Sequence, residues 1–451
     1  MPQMPQPLED LTAALIAAAR RVGAEAADAM AVRGRSVTVD MRGGTLEQAE
    51  RAEGTDIGLR VLIGGRQANV SASDTTPETI ATLAERAVAM AREAPEDPYA
   101  GLADPSQLAR ERDMAELELC DPAPEPAPEA LMAWAQAAEA AALAVAGVTQ
   151  VQSASAGWSL RDVHIAATNG FAGGYALSGT GISCVAIAGT GTGMERDYDG
   201  DSRVFAADLR APEEIGRCAG QRAVERLGAR KPATGAYPVL YDERVAASLI
   251  GHLLAAVSGS AVARGASWLR DRLGEQVLPE ALDLREDPHR PRVSGSRLFD
   301  AEGLPTARRL IVERGVLRGY TLDLAAARRL AMAPTGNAAR GVSGPPSPSA
   351  WNVALTQGPQ SRDDLIREMG TGLLVTSLIG STINPNTGDY SRGAAGFWIE
   401  GGEIAYPVNE CTIAGSLPEM LRRITPANDA RAHLSRVVPS LLVEGLMLAG
   451  E

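Results

Sequence analysis

The sequence predicts an α+β protein: an N-terminal mixed α/β region, then a C-terminal domain rich in antiparallel β structure and barrel-like. Three observations carry this. Residues 8–95 read helix, strands, helix. A proline-alternating stretch, Asp121-Pro-Ala-Pro-Glu-Pro-Ala-Pro128, reads as an extended connection. From about residue 231 short alternating runs separated by glycine turns take over. The 451 residues therefore divide into 1–120, an α+β domain; 121–230, a β-rich segment with flanking helices packed with the first domain; and 231–451, a β-rich domain.

The elements follow in order. Leu11, Leu15 and Val22 recur at helical spacing among alanines, predicting a helix over 8–32. Val37, Val39 and Met41 alternate in a strand over 36–41, and strands over 57–63 and 67–73 meet at Gly64-Gly65. Thr76 is a natural N-cap, with Pro77 in the first turn and Ile80, Leu83, Ala87 and Met90 as the buried stripe. Residues 95–130 are poor in core formers. A helix over 129–146 precedes strands over 148–156, 159–168 and 174–188, and a helix over 212–227 closes the segment. Beyond it come a strand over 237–241, an apolar helix over 243–258 and another over 261–272. Arg314-Gly315 and Gly401-Gly402 mark hairpins, and strands are expected over 351–356, 373–379, 397–400 and 403–408. Ser361-Arg-Asp-Asp364 starts a short helix with a capping box. No internal repeat is visible in the sequence.

Composition excludes some functions. The chain has 43 basic and 56 acidic side chains, a net charge of −13, and Lys231 as its single lysine. Nucleic acids and anionic membranes both select for positive charge, so neither is an expected partner. Cys120, Cys184, Cys218 and Cys411 are scattered and form no Cys-x-x-Cys pair, which suits a reducing, cytoplasmic setting. Met1 to Asp10 has no basic stretch leading into an apolar run, so no signal peptide is expected. No apolar run reaches the ~18–20 residues of a membrane span.

The four histidines, His164, His252, His289 and His433, limit the chemistry. No His-Glu-x-x-His pattern exists, and catalytic zinc ordinarily takes three protein ligands. His252 reads as a satisfied helix histidine and His289 as a loop residue. There is no Gly-x-Ser-x-Gly elbow, and Val257-Ser-Gly-Ser260 reads as a helix-end turn. Gly189-Thr-Gly-Thr-Gly193 lacks the Lys-Ser/Thr of a phosphate loop and reads as a hairpin connection, with Met194 to Asp201 continuing as a charged turn. Gly380 to Gly396 holds Asp389, Tyr390 and Arg392 among glycines. Asp389 and Arg392 either pair or face a ligand; alternatively the stretch is a β-connection whose polar side chains satisfy their own backbone.

The C-terminal third resembles the TldD/PmbA family, and within it the PmbA (TldE) branch. The residues that carry the resemblance are Leu249-Ile-Gly-His252-Leu-Leu, Phe299-Asp-Ala-Glu-Gly303, Glu368-Met-Gly-Thr-Gly372, Gly388-Asp-Tyr-Ser-Arg-Gly-Ala-Ala-Gly-Phe-Trp398, Gly402-Glu-Ile-Ala-Tyr-Pro-Val408 and Thr412-Ile-Ala-Gly415. Ile57-Gly-Leu-Arg-Val61 and Arg196-Asp-Tyr198 extend it toward the N-terminus. The resemblance implies a two-subunit peptidase once labelled a modulator of DNA gyrase. Its TldD-type subunit binds zinc through His-Glu-x-x-x-His and a later Cys. Setting Gly251-His252 on the end of that motif puts Ala247 at the first His and Ser248 at the Glu, and 434–447 holds no Cys. The resemblance therefore implies a metal-free subunit, with zinc in a TldD-type partner, acting on unfolded peptides. It also places Asp389, Tyr390 and Arg392 near the substrate chamber and allows a homodimer when the chain is expressed alone. A regulatory binding protein of the gyrase-modulator type and a self-sufficient hydrolase are the alternatives.

Overall fold

The computed structural model describes residues 6–450. The signal-peptide reading of Met1 to Asp10 falls partly on residues 1–5, outside the described residues.

The first helix, α1 (Leu8–Arg21), stops well short of the expected residue 32. Gly23 adopts φ 94° and the N–H of Ala24 donates to the Ala19 carbonyl, a left-handed ending that turns the chain into β1 (Ala26–Arg42). Alanines 27, 29 and 31 suggested helix, but their small side chains let α1 and its partner α2 (Pro77–Glu93) lie close on the sheet. Tertiary packing overrides their intrinsic preference. β2 (Thr45–Ile63) and β3 (Arg66–Ala72) complete a meander, turned at Gly43-Gly44 and Gly64-Gly65 with positive φ at all four glycines. Thr76 caps α2 as expected, accepting from the N–H of Thr79.

The pattern then recurs: α3 (Pro128–Leu143), β4 (Val148–Ala167), β5 (Ala172–Ala188), β6 (Glu195–Arg203) and α4 (Pro212–Glu225). The six strands form one antiparallel sheet in the order β3-β2-β1-β4-β5-β6. Two α-β-β-β-α units thus join back to back across β1 and β4, a topological repeat with no sequence echo. Both helix pairs cover the same face, where Ala27, Ala29 and Ala31 meet α1 and α2, and Val37, Val39 and Met41 meet α3 and α4. The opposite face, with Asp28, Met30 and Val32, turns toward the C-terminal half. The expected charged turn at 194–201 is β6. Asp197, Asp199 and Asp201 have the strand's period of two and are buried on one side of it, each paired with arginine.

The C-terminal half is a five-stranded closed barrel. Its strands are β7 (Gly235–Tyr241), β8 (Gly372–Ile383), β9 (Asp389–Glu400), β10 (Glu403–Ser416) and β11 (Leu441–Ala449). The β10–β11 pairing closes the ring, and the one parallel pair, β7 with β8, is joined by a long crossover. Within it, α5 (Glu243–Ala256) joins the interior core with Val239, Tyr241, Leu373 and Val375. The expected helix over 261–272 shrinks to α6 (Gly259–Ala263). Beyond it, Gly265 takes φ 72° and the Ser267 hydroxyl binds the Ala256 carbonyl, so a compact turn replaces the helix. The crossover also carries α7 (Leu324–Arg329) and four strands of a small five-stranded sheet, whose fifth strand, Arg436–Val437, comes from the segment before β11. α8 (Arg362–Met369) opens with the expected capping box and packs on the outer residues Leu240 and Leu374.

Gly380 to Gly396, expected as a glycine-rich connection, is mostly the β8–β9 hairpin. Gly396 marks a bulge where a Cβ would stand 1.9 Å from the Leu374 carbonyl oxygen. Gly396→Ala is expected to cost at least the ~1–3 kcal/mol of core overpacking, read as a lower midpoint of thermal unfolding.

Candidate functional site

Helix α5 starts where Asp242 accepts a hydrogen bond from the N–H of Arg244. Ala246, Leu249, Ile250, Leu253 and Ala256 face the core at helical spacing. His252 lies beside that stripe, half-buried, and its Nε2 is buried with no hydrogen-bond partner among the described residues. This corrects the expectation of a satisfied histidine, because an unpaired buried nitrogen costs desolvation that a partner would offset. Burial first, and the positive charge of Arg392 second, hold the imidazolium below its ordinary pKa.

The hairpin residues come to it from β9. The Tyr390 ring meets the His252 ring edge-on, with centroids 5.9 Å apart. Its hydroxyl lies 3.4 Å from that of Tyr241, the last residue of β7, and burial pushes the pKa of both phenols up. Arg392 donates from Nε to the Gly380 carbonyl at 2.7 Å. Two residues apart on a strand, Tyr390 and Arg392 share a face; Asp389 is three from Arg392 and takes the other. Asp389 is exposed and accepts from the Thr387 hydroxyl at 2.6 Å, and it forms no ion pair with Arg392 among the described residues. The structure thus gathers His252, Tyr390 and Arg392 and leaves Asp389 outside. Tyr241 was missed; as the terminal residue of a short apolar strand it carried no signal of its own.

The donor set does not fit a catalytic zinc. Ala247 offers a methyl group, and Ser248 donates its hydroxyl proton to the Val245 carbonyl at 2.7 Å. Among the described residues no three His, Cys, Asp or Glu side chains converge to hold a metal. The one imidazole stands in the field of a guanidinium, which opposes a dication. Two of the four thiols are ill placed to act as nucleophiles. Burial pushes the thiols of Cys184 and Cys411 up to about 12 and about 11, leaving them protonated. His289 Nε2 lies 3.0 Å from the Thr306 hydroxyl, but that hydroxyl gives its proton to the Arg297 carbonyl, so the imidazole cannot take it as a base.

An arginine–aspartate ladder anchors this site to the first sheet. Arg244 in α5 bridges Asp197 of β6 and the capping Asp242, with 8% of its side chain exposed. Beside it a groove of about 910 Å³ runs between β5–β6 and β8–β10, lined by Met194, Tyr198, Ile379, Gly393, Ala394 and Cys411. Ile379 is 71% exposed and Tyr198 52% exposed, so the groove has apolar walls open to solvent.

A closed barrel whose crossover helix carries one imidazole, docked on a two-winged antiparallel sheet, defines a class of α+β protein. Sequence profiles identify the lineage: the PmbA/TldA metallopeptidase domain 1 matches residues 27–91, the central domain 121–227 and the C-terminal domain 234–450. The chain belongs to the PmbA/TldA metallopeptidase family. It is 36% identical to the metalloprotease PmbA of Escherichia coli O157:H7 over 98% of this chain and 95% of that one. The crystal structure of a protein described as a modulator of DNA gyrase from Bacteroides thetaiotaomicron superposes with a TM-score of 0.90 at 26% identity, covering 100% of both chains. TldE of Thermococcus kodakarensis shares the fold, with a TM-score of 0.84 at 22% identity over 98% of this chain and 100% of that one.

Proposed function

We propose that this chain is the metal-free, PmbA/TldE-type subunit of a two-subunit zinc peptidase that acts on unfolded peptides, the zinc being held by a TldD-type partner. The observation that carries this is the α5 position itself. His252 is the only ligand-type side chain left at the positions of the family motif, and burial together with the charge of Arg392 disfavours its protonated form. A protein with this helix keeps the shape of a peptidase site without its reactive ion. The open apolar groove suits an extended chain, which gains main-chain hydrogen bonds with little demand on sequence.

The test is metal content and peptide cleavage, for the chain alone and mixed with a TldD-type protein. Expected are substoichiometric zinc and no cleavage alone, and cleavage by the pair that a chelator abolishes. Cleavage by the lone chain in chelator would instead support a self-sufficient hydrolase. Co-purification with gyrase and no activity with the partner would support a regulatory role. Within this reading Arg392 faces the chamber. Arg392→Ala is expected to lower cleavage by the pair ~10–100-fold, the value of one hydrogen bond to a charged group, while gel filtration still shows the pair. Unchanged cleavage would remove Arg392 from that role.

A further inference from the structure

A second constellation lies on the other face of the first sheet and plays no part in the peptidase reading. Where the C-terminal half packs on β1, β4 and β5, a cavity of about 110 Å³ is left. That is several times the ~10–15 Å³ one water needs. Three arginines line it: Arg161 from β4, Arg297 and Arg340. They differ in how they are held. Arg340 is buried, with 1% of its side chain exposed; it ion-pairs with Asp28, yet its Nε has no hydrogen-bond partner among the described residues. Arg297 donates to the carbonyls of Ser294 and Ser296, stacks over Tyr175 at 4.7 Å and lies 5.7 Å from the Trp351 ring. It meets no carboxylate within ion-pair distance among the described residues. Arg161 is exposed and forms no ion pair among the described residues.

One acid, Asp300, also lines the cavity, but its oxygens accept the backbone N–H groups of Glu302, Leu304 and Ala338. It is therefore committed to its own loop rather than to the guanidinium groups. Arg161 also borders an open groove of about 550 Å³ on the same face of the sheet, so the cavity has a path to solvent. A buried guanidinium nitrogen without an acceptor is costly, and arginines lining one cavity offer the forked donors that planar or tetrahedral oxyanions match.

We propose that this cavity is a binding site for a compact oxyanion, a carboxylate or a phosphate, held by Arg161, Arg297 and the free Nε of Arg340 against the Tyr175 and Trp351 rings. The site is independent of where zinc resides, so the metal and cleavage measurements leave it untouched. Two sources share this chemistry: the terminal carboxylate of a short peptide and free inorganic phosphate.

The test uses the full chain with inorganic phosphate, acetate and a short neutral peptide with a free C-terminus, each against sodium chloride at equal ionic strength. Binding is read by isothermal titration and by the shift in unfolding temperature. Saturable binding with a raised unfolding temperature is expected for at least one probe. Preference for phosphate identifies the free ion, and preference for the peptide identifies a chain end. Arg161→Gln is expected to weaken that binding at least tenfold without changing the unfolding temperature of the unliganded chain. Arg297→Gln is a second variant with the same expected loss, and it avoids the buried Asp28–Arg340 pair. No saturable binding of any probe, or unchanged affinity in both variants, overturns the proposal and leaves the cavity as a water site.

Discussion

Replacing Asp28 with Asn is expected to destabilise the protein by roughly 3–5 kcal/mol, the usual cost of breaking a buried ion pair from one side. Asp28 sits on β1 opposite Arg60 of β2, whose Nε donates to its carboxylate at 2.7 Å, and Arg340 from the C-terminal half pairs with its other oxygen. All three side chains are at most 5% exposed. Asn keeps the volume but removes the charge, leaving two guanidinium groups buried in its place. The measurement is urea unfolding followed by tryptophan fluorescence. Arg42→Ala, which removes an exposed pair with Glu47, serves as control and is expected to change stability by under ~1 kcal/mol. The sign with pH also follows. Burial alone would raise the Asp28 pKa, but Arg340 and Arg60 overcome this and hold it lowered. The stabilisation is therefore present at neutral pH and is lost as the pH falls through that lowered value. A D28N protein as stable as the parent would show that the triad is not the tie between the two halves.

Next to this triad the sign reverses. Burial first, and the neighbouring charge of Asp300 second, push Glu302 up to about 8 from its usual 4.5. Asp300 itself is pushed up to about 6, chiefly by burial. The groups facing Glu302 are Asp300 and Asp323, which oppose its charge, and Arg60, which favours it. Between about 4.5 and about 8 the folded state holds a proton that the unfolded state releases. Stability is therefore highest below that window and falls as the pH rises through it, by an amount on the order of a few kcal/mol. Glu302→Gln mimics the protonated acid and still accepts the Leu324 N–H through its amide oxygen. Calorimetry from about pH 5 to about pH 9 is expected to show the parent losing stability as the pH rises and E302Q losing less, its remaining slope lying at the acid end, where Asp300 gives up its own proton. An E302Q profile parallel to the parent's would mean that Glu302 is ionised in the folded protein.

Local rules located the elements whose ends are set by local chemistry. Thr76 with Pro77, Ser361 with Asp364, Gly64-Gly65 and Arg314-Gly315 are each a few residues whose hydrogen bonds or φ values close on themselves. The misreadings share a cause. Ala26 to Val32 has helical composition, but helices lie over one side of it and an ion pair is buried on the other. Met194 to Asp201 reads as solvated charge, yet Arg226, Arg244, Arg210 and Arg222 arrive from other elements to neutralise its aspartates. The glycines of 388–396 imitate a loop because close strand approach and a bulge also require glycine. At the site, resemblance pointed to His252 and composition to Arg392. Their meeting, beside Tyr390 and Tyr241, depends on β9 and β7 flanking β8 in the barrel.

By itself the sequence determined the α+β class, the turn and cap positions, and the shortage of metal-binding groups on α5, because each is a property of residue type and short spacing. Only the tertiary structure decided which charges are buried together, which imidazole nitrogen lacks a partner and which arginines face a common cavity. Those outcomes depend on residues far apart in the chain sharing one desolvated volume, where a charge left without a partner costs far more than it does in water.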